Sequence, residues 1–173
     1  MAKRILNIIT TVLLVTVIAF IALLAGPRLF GLTPYCVLSG SMRPTYGVGS
    51  LIYIEKVDTE ELEIGDPVTY ITNDGTVVTH RIIDIIKDDA TGAVSFKTKG
   101  DANNTADFDP VRSTNVLGKP VFSIPLIGYV VFYMRVPPWN YVTYTLAIAL
   151  ILLMLLPDLI IKLKKSNEGD AEQ

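Results

Sequence analysis

The sequence predicts a mainly β domain anchored to a bilayer by two transmembrane helices. Three observations carry this expectation. Two runs without a charged residue, Ile5–Pro27 and Val136–Pro157, flank the middle of the 173-residue chain. The segment between them is rich in β-branched runs and broken by turn sequences. Half of all residues are hydrophobic and 18% are charged, a composition too apolar for a disordered chain.

Residues 1–27 read as a short N-terminal end and a first helix of about 20 apolar residues, enough for about 30 Å of hydrocarbon. Lys3 and Arg4 would also suit a cleavable leader. Its apolar core, however, exceeds the usual length of about 7–15 residues, and Leu23-Leu24-Ala25 puts a bulky leucine where a cleavage site needs a small residue. Residues 136–161 read as a second helix, followed over 162–173 by a tail that starts basic, with Lys162, Lys164 and Lys165, and ends acidic. The inner flanks carry only Arg28 and Arg135. By the positive-inside rule both termini are cytoplasmic, and residues 28–135 form a β-rich domain on the outer face of the cell membrane.

Within that domain Ser50–Lys56 is the first expected strand. Pro67–Thr72 and Thr76–Ile83 follow, joined by the hairpin signal Asn73-Asp74-Gly75. The turn sequence Asp88–Gly92 precedes Val94–Lys99, whose alternation suits a half-buried strand. Gly118–Ile124 is the last, and Pro125, Gly128, Pro137 and Pro138 punctuate the return to the membrane. The 15 basic and 17 acidic residues give a net charge of −2, which leaves no electrostatic footprint for nucleic acid. Cys36 is the single cysteine, so an intrachain disulfide and a CxxC-type zinc site are both excluded.

Three places carry chemistry: Ser39-Gly40-Ser41-Met42-Arg43-Pro44-Thr45, the single histidine His80, and Lys99–Asp107. Each has a plain reading, as a loop, a core histidine and a solvated turn. Asp101, Asn103, Thr105, Asp107 and Asp109 alternate as in a calcium loop, but Ala106 takes the sixth-position glycine and Arg112 the bidentate glutamate, so no metal is expected. Together the three places support one another. A serine needs a base to become a nucleophile, and His80 is the one histidine available near neutral pH. A carboxylate that fixes the histidine's tautomer completes such a set, and Asp101 and Asp107 are both candidates.

In order, the segments S-G-S-M-R-P-T, V-T-H-R-I and K-G-D-A-N-N-T-A-D behind an N-terminal anchor resemble a type I signal peptidase. The resemblance is to the endoplasmic-reticulum and archaeal type, also found in some Gram-positive bacteria, in which histidine replaces a catalytic lysine. It implies the signal-peptidase β-sheet fold and no cofactor. It implies Ser41 as nucleophile and His80 as general base. Asp107 then takes the place of the third catalytic residue and Asp101 that of a supporting carboxylate. Ser39 and Met42, on either side of the nucleophile, take oxyanion-hole and substrate-binding positions, with the Ser41 N–H as the second oxyanion donor. Arg43 stands where the family usually has glutamate. The implied substrates are exported preproteins cut after small residues at −1 and −3, and the implied partners are those preproteins and the lipid bilayer.

Other readings fit the residues less well. A repressor-type autopeptidase of the same fold is soluble and uses a lysine base. A sortase needs a cysteine nucleophile, whereas Cys36 sits in the apolar run Tyr35–Leu38. A catalytically silent membrane scaffold of this fold would lack Ser41 or His80, and both are present. A dedicated peptidase for a few preproteins remains an alternative to a general one.

Overall fold

The computed structural model describes residues 2–88, 90–149 and 151–152. The chain divides into two compact units, Met1–Phe20 with Tyr133–Gln173, and Ile21–Phe132. The first long element, α1 (Ala2–Ala25), runs into a 3-10 turn over Gly26–Phe30. The stretch Ile8–Phe30 is, among the described residues, the one helix long and apolar enough to cross a membrane. Its Thr16 hydroxyl donates to the Val12 carbonyl at 2.9 Å, so that this polar group needs no partner from lipid. Residues 139–149 and 151–152 are helical. The second transmembrane helix is expected from 136, but Val136–Pro138 form a bend and turn, because the two consecutive prolines cannot donate the hydrogen bonds of a helix, and the helix starts at 139. Residues 150 and 153–161 of that expectation, and the whole tail 162–173, lie outside the described residues.

The unit Ile21–Phe132 is built on one seven-stranded antiparallel sheet: β1 (Thr33–Cys36), β2 (Leu51–Glu55), β3 (Pro67–Ile71), β4 (Val77–Lys87), β5 (Val94–Lys99), β6 (Val111–Arg112) and β7 (Val116–Ile124). Their order across the sheet is β1-β2-β7-β3-β4-β5-β6. A short helix, α2 (Ile127–Tyr133), follows β7. The β3–β4 hairpin turns on Asn73-Asp74-Gly75, where Gly75 adopts φ +83° and the Thr72 N–H donates to the Thr76 carbonyl at 2.9 Å. Residues of like parity on β3, β4 and β5 meet on one face, giving a core of Leu62, Val68, Tyr70, Ile82, Phe96 and Val111. A second buried set, Met42 with Leu51–Ile54, lies at the β2 end.

Tyr53 joins that end of the sheet to the end of α1. Fully buried, it stacks on Phe122 with ring centroids 4.6 Å apart and donates its hydroxyl to the Leu24 carbonyl at 2.9 Å. Carbonyls in the last turn of a helix lack partners within the helix, and Tyr53 supplies one.

Two strand edges are left open among the described residues. β1 pairs only with β2, and Val77–His80 pair with β3 but not with β5, whose ladder to β4 begins at Arg81. Residues of both edges line one cavity.

Candidate active site

The nucleophile candidate lies in the connection between β1 and β2. Its neck is closed by Val37 N–H to Ser50 carbonyl (2.9 Å) and Gly49 N–H to Val37 carbonyl (2.8 Å). Within it Met42 is 2% exposed and pegs the turn into the sheet, while Ser41 is half-buried at the cavity wall. The Ser41 carbonyl accepts the Ala102 N–H at 2.8 Å. Opposite it, a Cβ on Gly100 would stand 2.7 Å from the same oxygen, so glycine lets the 100–103 loop press against the nucleophile turn. The Ser39 and Ser41 hydroxyls are 3.2 Å apart.

His80 sits on β4 opposite Val68, at the margin of the core face, and is 8% exposed. Its Nδ1 lies 2.6 Å from Asp107 Oδ2, an ion-pair and hydrogen-bond distance. With Nδ1 engaged, Nε2 is the nitrogen left for other work. Ser41 and His80 line the same cavity of about 650 Å³, together with Tyr35–Ser39, Met42, Tyr46, Val77–Thr79 and Asn103. Among the described residues the Ser41 hydroxyl bonds Ser39 and does not reach His80. Catalytic hydrogen bonds commonly close only around a bound substrate.

Asp107 Oδ2 is also the acceptor for the Thr98 hydroxyl at 2.6 Å and the Tyr70 hydroxyl at 3.1 Å. The Asp107 N–H donates to the Thr98 carbonyl at 2.9 Å. Burial pushes the Tyr70 phenol up to about 12, so that it remains a proton donor at any working pH. Sequence reasoning missed both hydroxyl residues, and only strand register gives the signal that would have found them.

Asp101 is committed elsewhere. Arg81 clamps it from Nε to Oδ1 at 2.8 Å and from Nη2 to Oδ2 at 2.7 Å, and Thr45 donates to Oδ2 as well. Arg81 Nη1 reaches the Gly65 carbonyl at 2.7 Å. The Arg81 hydrogen bonds hold the Asp101 carboxyl below the usual range for aspartate. Thr45, Arg81 and Asp101 therefore bolt the nucleophile turn, the histidine strand and the acidic loop together beside the cavity. None of the three was singled out for this by spacing, although Arg81 follows the histidine directly. Among the described residues no three His, Cys, Asp or Glu side chains gather as a metal site. Arg43 is exposed, its stem folds toward Gly40, and it makes no ion pair among the described residues.

No protein-family model matches the chain. It is 42% identical over 112 residues to signal peptidase I W of Bacillus subtilis (strain 168), a match covering 63% of this chain and 58% of that protein. Over 113 residues it is 33% identical to the signal peptidase complex catalytic subunit SEC11 of Verticillium alfalfae and 32% identical to that of Pyricularia oryzae. Each of those matches covers 60% of this chain and 64% of the relative. The chain thus spans less than two thirds of the length of these relatives. Over those residues it is similar to proteins named signal peptidase I and signal peptidase complex catalytic subunit.

Proposed function

We propose that the chain is a membrane-bound serine endopeptidase that removes signal peptides from exported preproteins, with residues 28–135 as its outward-facing catalytic domain. The observation that carries the proposal is the 2.6 Å His80–Asp107 pair, whose histidine lines, with Ser41, a mainly apolar cavity walled by two open strand edges. An extended peptide is recognised by adding to such edges through its main chain. Apolar side chains from Tyr35 to Leu38 and at Val77 and Val78 suit apolar residues on the substrate.

In this reading Ser41 Oγ attacks the scissile carbonyl while His80 Nε2 takes its proton. The Ser41 N–H and the Ser39 hydroxyl receive the developing oxyanion, and removing one such donor typically costs about 10²–10³ in rate. The C–N bond then breaks, with His80 giving its proton to the leaving amine, and a water activated by the same nitrogen releases the acyl group. Asp107 stabilises the imidazolium throughout. Met42, buried behind the nucleophile, shapes the cavity floor, and Asp101 supports the site through Arg81 rather than through the histidine. Both termini are cytoplasmic, and the anchors confine enzyme and bilayer-bound substrate to one surface, which raises their effective concentration.

The test is cleavage of a preprotein with an A-x-A signal site by detergent-solubilised wild type and Ser41→Ala, with the product N-termini sequenced. Cutting after the small residue by wild type alone is the expected result. A folded wild type that leaves a panel of native preproteins intact would favour a silent scaffold instead.

A further inference from the structure

We propose that Tyr70 and Thr98 are positioning residues for the acid–base couple, their two buried hydroxyls fixing the Asp107 carboxylate so that Oδ2 faces His80 Nδ1. The content of this inference is geometric, and only its consequence for rate rests on the peptidase reading. Tyr70 on β3 is 4% exposed and Thr98 on β5 is fully buried, and both belong to the face that otherwise carries Val68, Ile82 and Phe96. Phenylalanine and valine would fill the same volumes. A buried hydroxyl without a partner is costly, so each must be bonded, and here both turn to one carboxylate oxygen.

The two hydroxyls converge on that oxygen. The Tyr70 hydroxyl donates to Asp107 Oδ2 at 3.1 Å, Thr98 donates to the same Oδ2 at 2.6 Å, and the two hydroxyl oxygens are 3.2 Å apart. Asp107 Oδ1 receives no hydrogen bond among the described residues. A carboxylate held at one oxygen only by a histidine can rotate and exchange its oxygens. The two hydroxyls oppose that rotation, and the Asp107 N–H to Thr98 carbonyl bond fixes the same residue from its backbone. His80 is thereby kept protonated on Nδ1, with Nε2 bare toward the cavity. The strands β3, β4 and β5 each contribute one member, so the arrangement depends on their register.

The chain has one histidine, so full-length protein labelled with nitrogen-15 in its imidazole gives a single pair of ring-nitrogen signals in detergent micelles. At a pH where the ring is neutral, wild type is expected to show the Nδ1–H tautomer alone. Tyr70→Phe and Thr98→Val are expected to show a mixture of tautomers, with the larger share of the other form in Thr98→Val. In preprotein cleavage both are expected to lower kcat by about tenfold without raising KM, the pattern of a group that acts on the transition state rather than on substrate binding. Thr98→Ser, which keeps the hydroxyl, should restore the single tautomer. A pure Nδ1–H tautomer in both variants would overturn the proposal, as would a kinetic defect confined to KM. Should Thr98→Val fail to fold, Tyr70→Phe alone decides the matter, since it removes one oxygen and no volume. If wild type holds the Nδ1–H tautomer yet cuts no preprotein, the peptidase reading fails while the positioning role stands.

Discussion

Asp101 and Asp107 leave the same loop six residues apart and end in opposite circumstances. Asp101 faces Arg81, a permanent cation, and its charge is settled at any working pH. Asp107 faces His80, whose charge changes with a single proton, and it is braced by hydroxyls rather than by a cation. Asp101 can hold the nucleophile turn in place but cannot follow a proton, whereas Asp107 can respond to one. Both carboxylates meet β4, and they are divided by which of its adjacent residues each faces, Arg81 or His80.

The sharpest way to break this comparison is Asp107→Asn. The amide would present N–H to His80 Nδ1 and favour the wrong tautomer, and the cleavage rate should fall by about 10⁴-fold with the melting temperature little changed. An equal loss of rate in Asp101→Asn, again without loss of stability, would erase the distinction between the two.

Gly100→Ala tests the other end of the loop, with a smaller effect. Its Cβ would stand 2.7 Å from the Ser41 carbonyl oxygen and 2.8 Å from Asn103 Nδ2, and the backbone oxygen has no room to yield without moving the turn. A displacement of about 1 Å at the nucleophile costs about 10²-fold in rate. Single-turnover cleavage should show that loss, while the nitrogen-15 signals of His80 stay as in wild type.

Asp101→Asn should act mainly on stability, by about 1–3 kcal/mol for the weakened charge-assisted hydrogen bonds. The sign of its pH dependence follows from the lowered pKa. An unfolded aspartate titrates near 3.9, so the contribution of Asp101 is full above about pH 4 and fades as pH falls through its lower folded value. Melting temperatures measured from neutral to acid pH should therefore decline less steeply in Asp101→Asn than in wild type. Parallel curves would remove Asp101 from the stability of the fold.

Much of the sheet was legible in the sequence, and the exceptions have physical causes. β5 spans the expected Val94–Lys99, and β3 begins at Pro67 as expected. β4 continues past the expected end at Ile83 to Lys87, because a bulge between Ile82 and Asp84 shifts the alternation by one residue and breaks the pattern there. β1 was missed because Pro34 sits inside it, which an edge strand tolerates. β6 has two residues and follows a proline, too little to carry a period. The site divides along the same line. Ser41, His80 and the acidic loop stand out by residue chemistry, whereas Tyr70, Thr98 and Thr45 are ordinary strand or turn residues until register brings them together.

Tyr53 has a mechanical consequence. Only Gly31 and Leu32 separate the 3-10 turn after α1 from β1, and Tyr53 grips the helix end from β2, the strand that pairs with β1. The last turn of α1 and one wall of the cavity are thus tied through β2 as well as through the chain. The placing of that wall relative to Leu24 is set by a buried phenol.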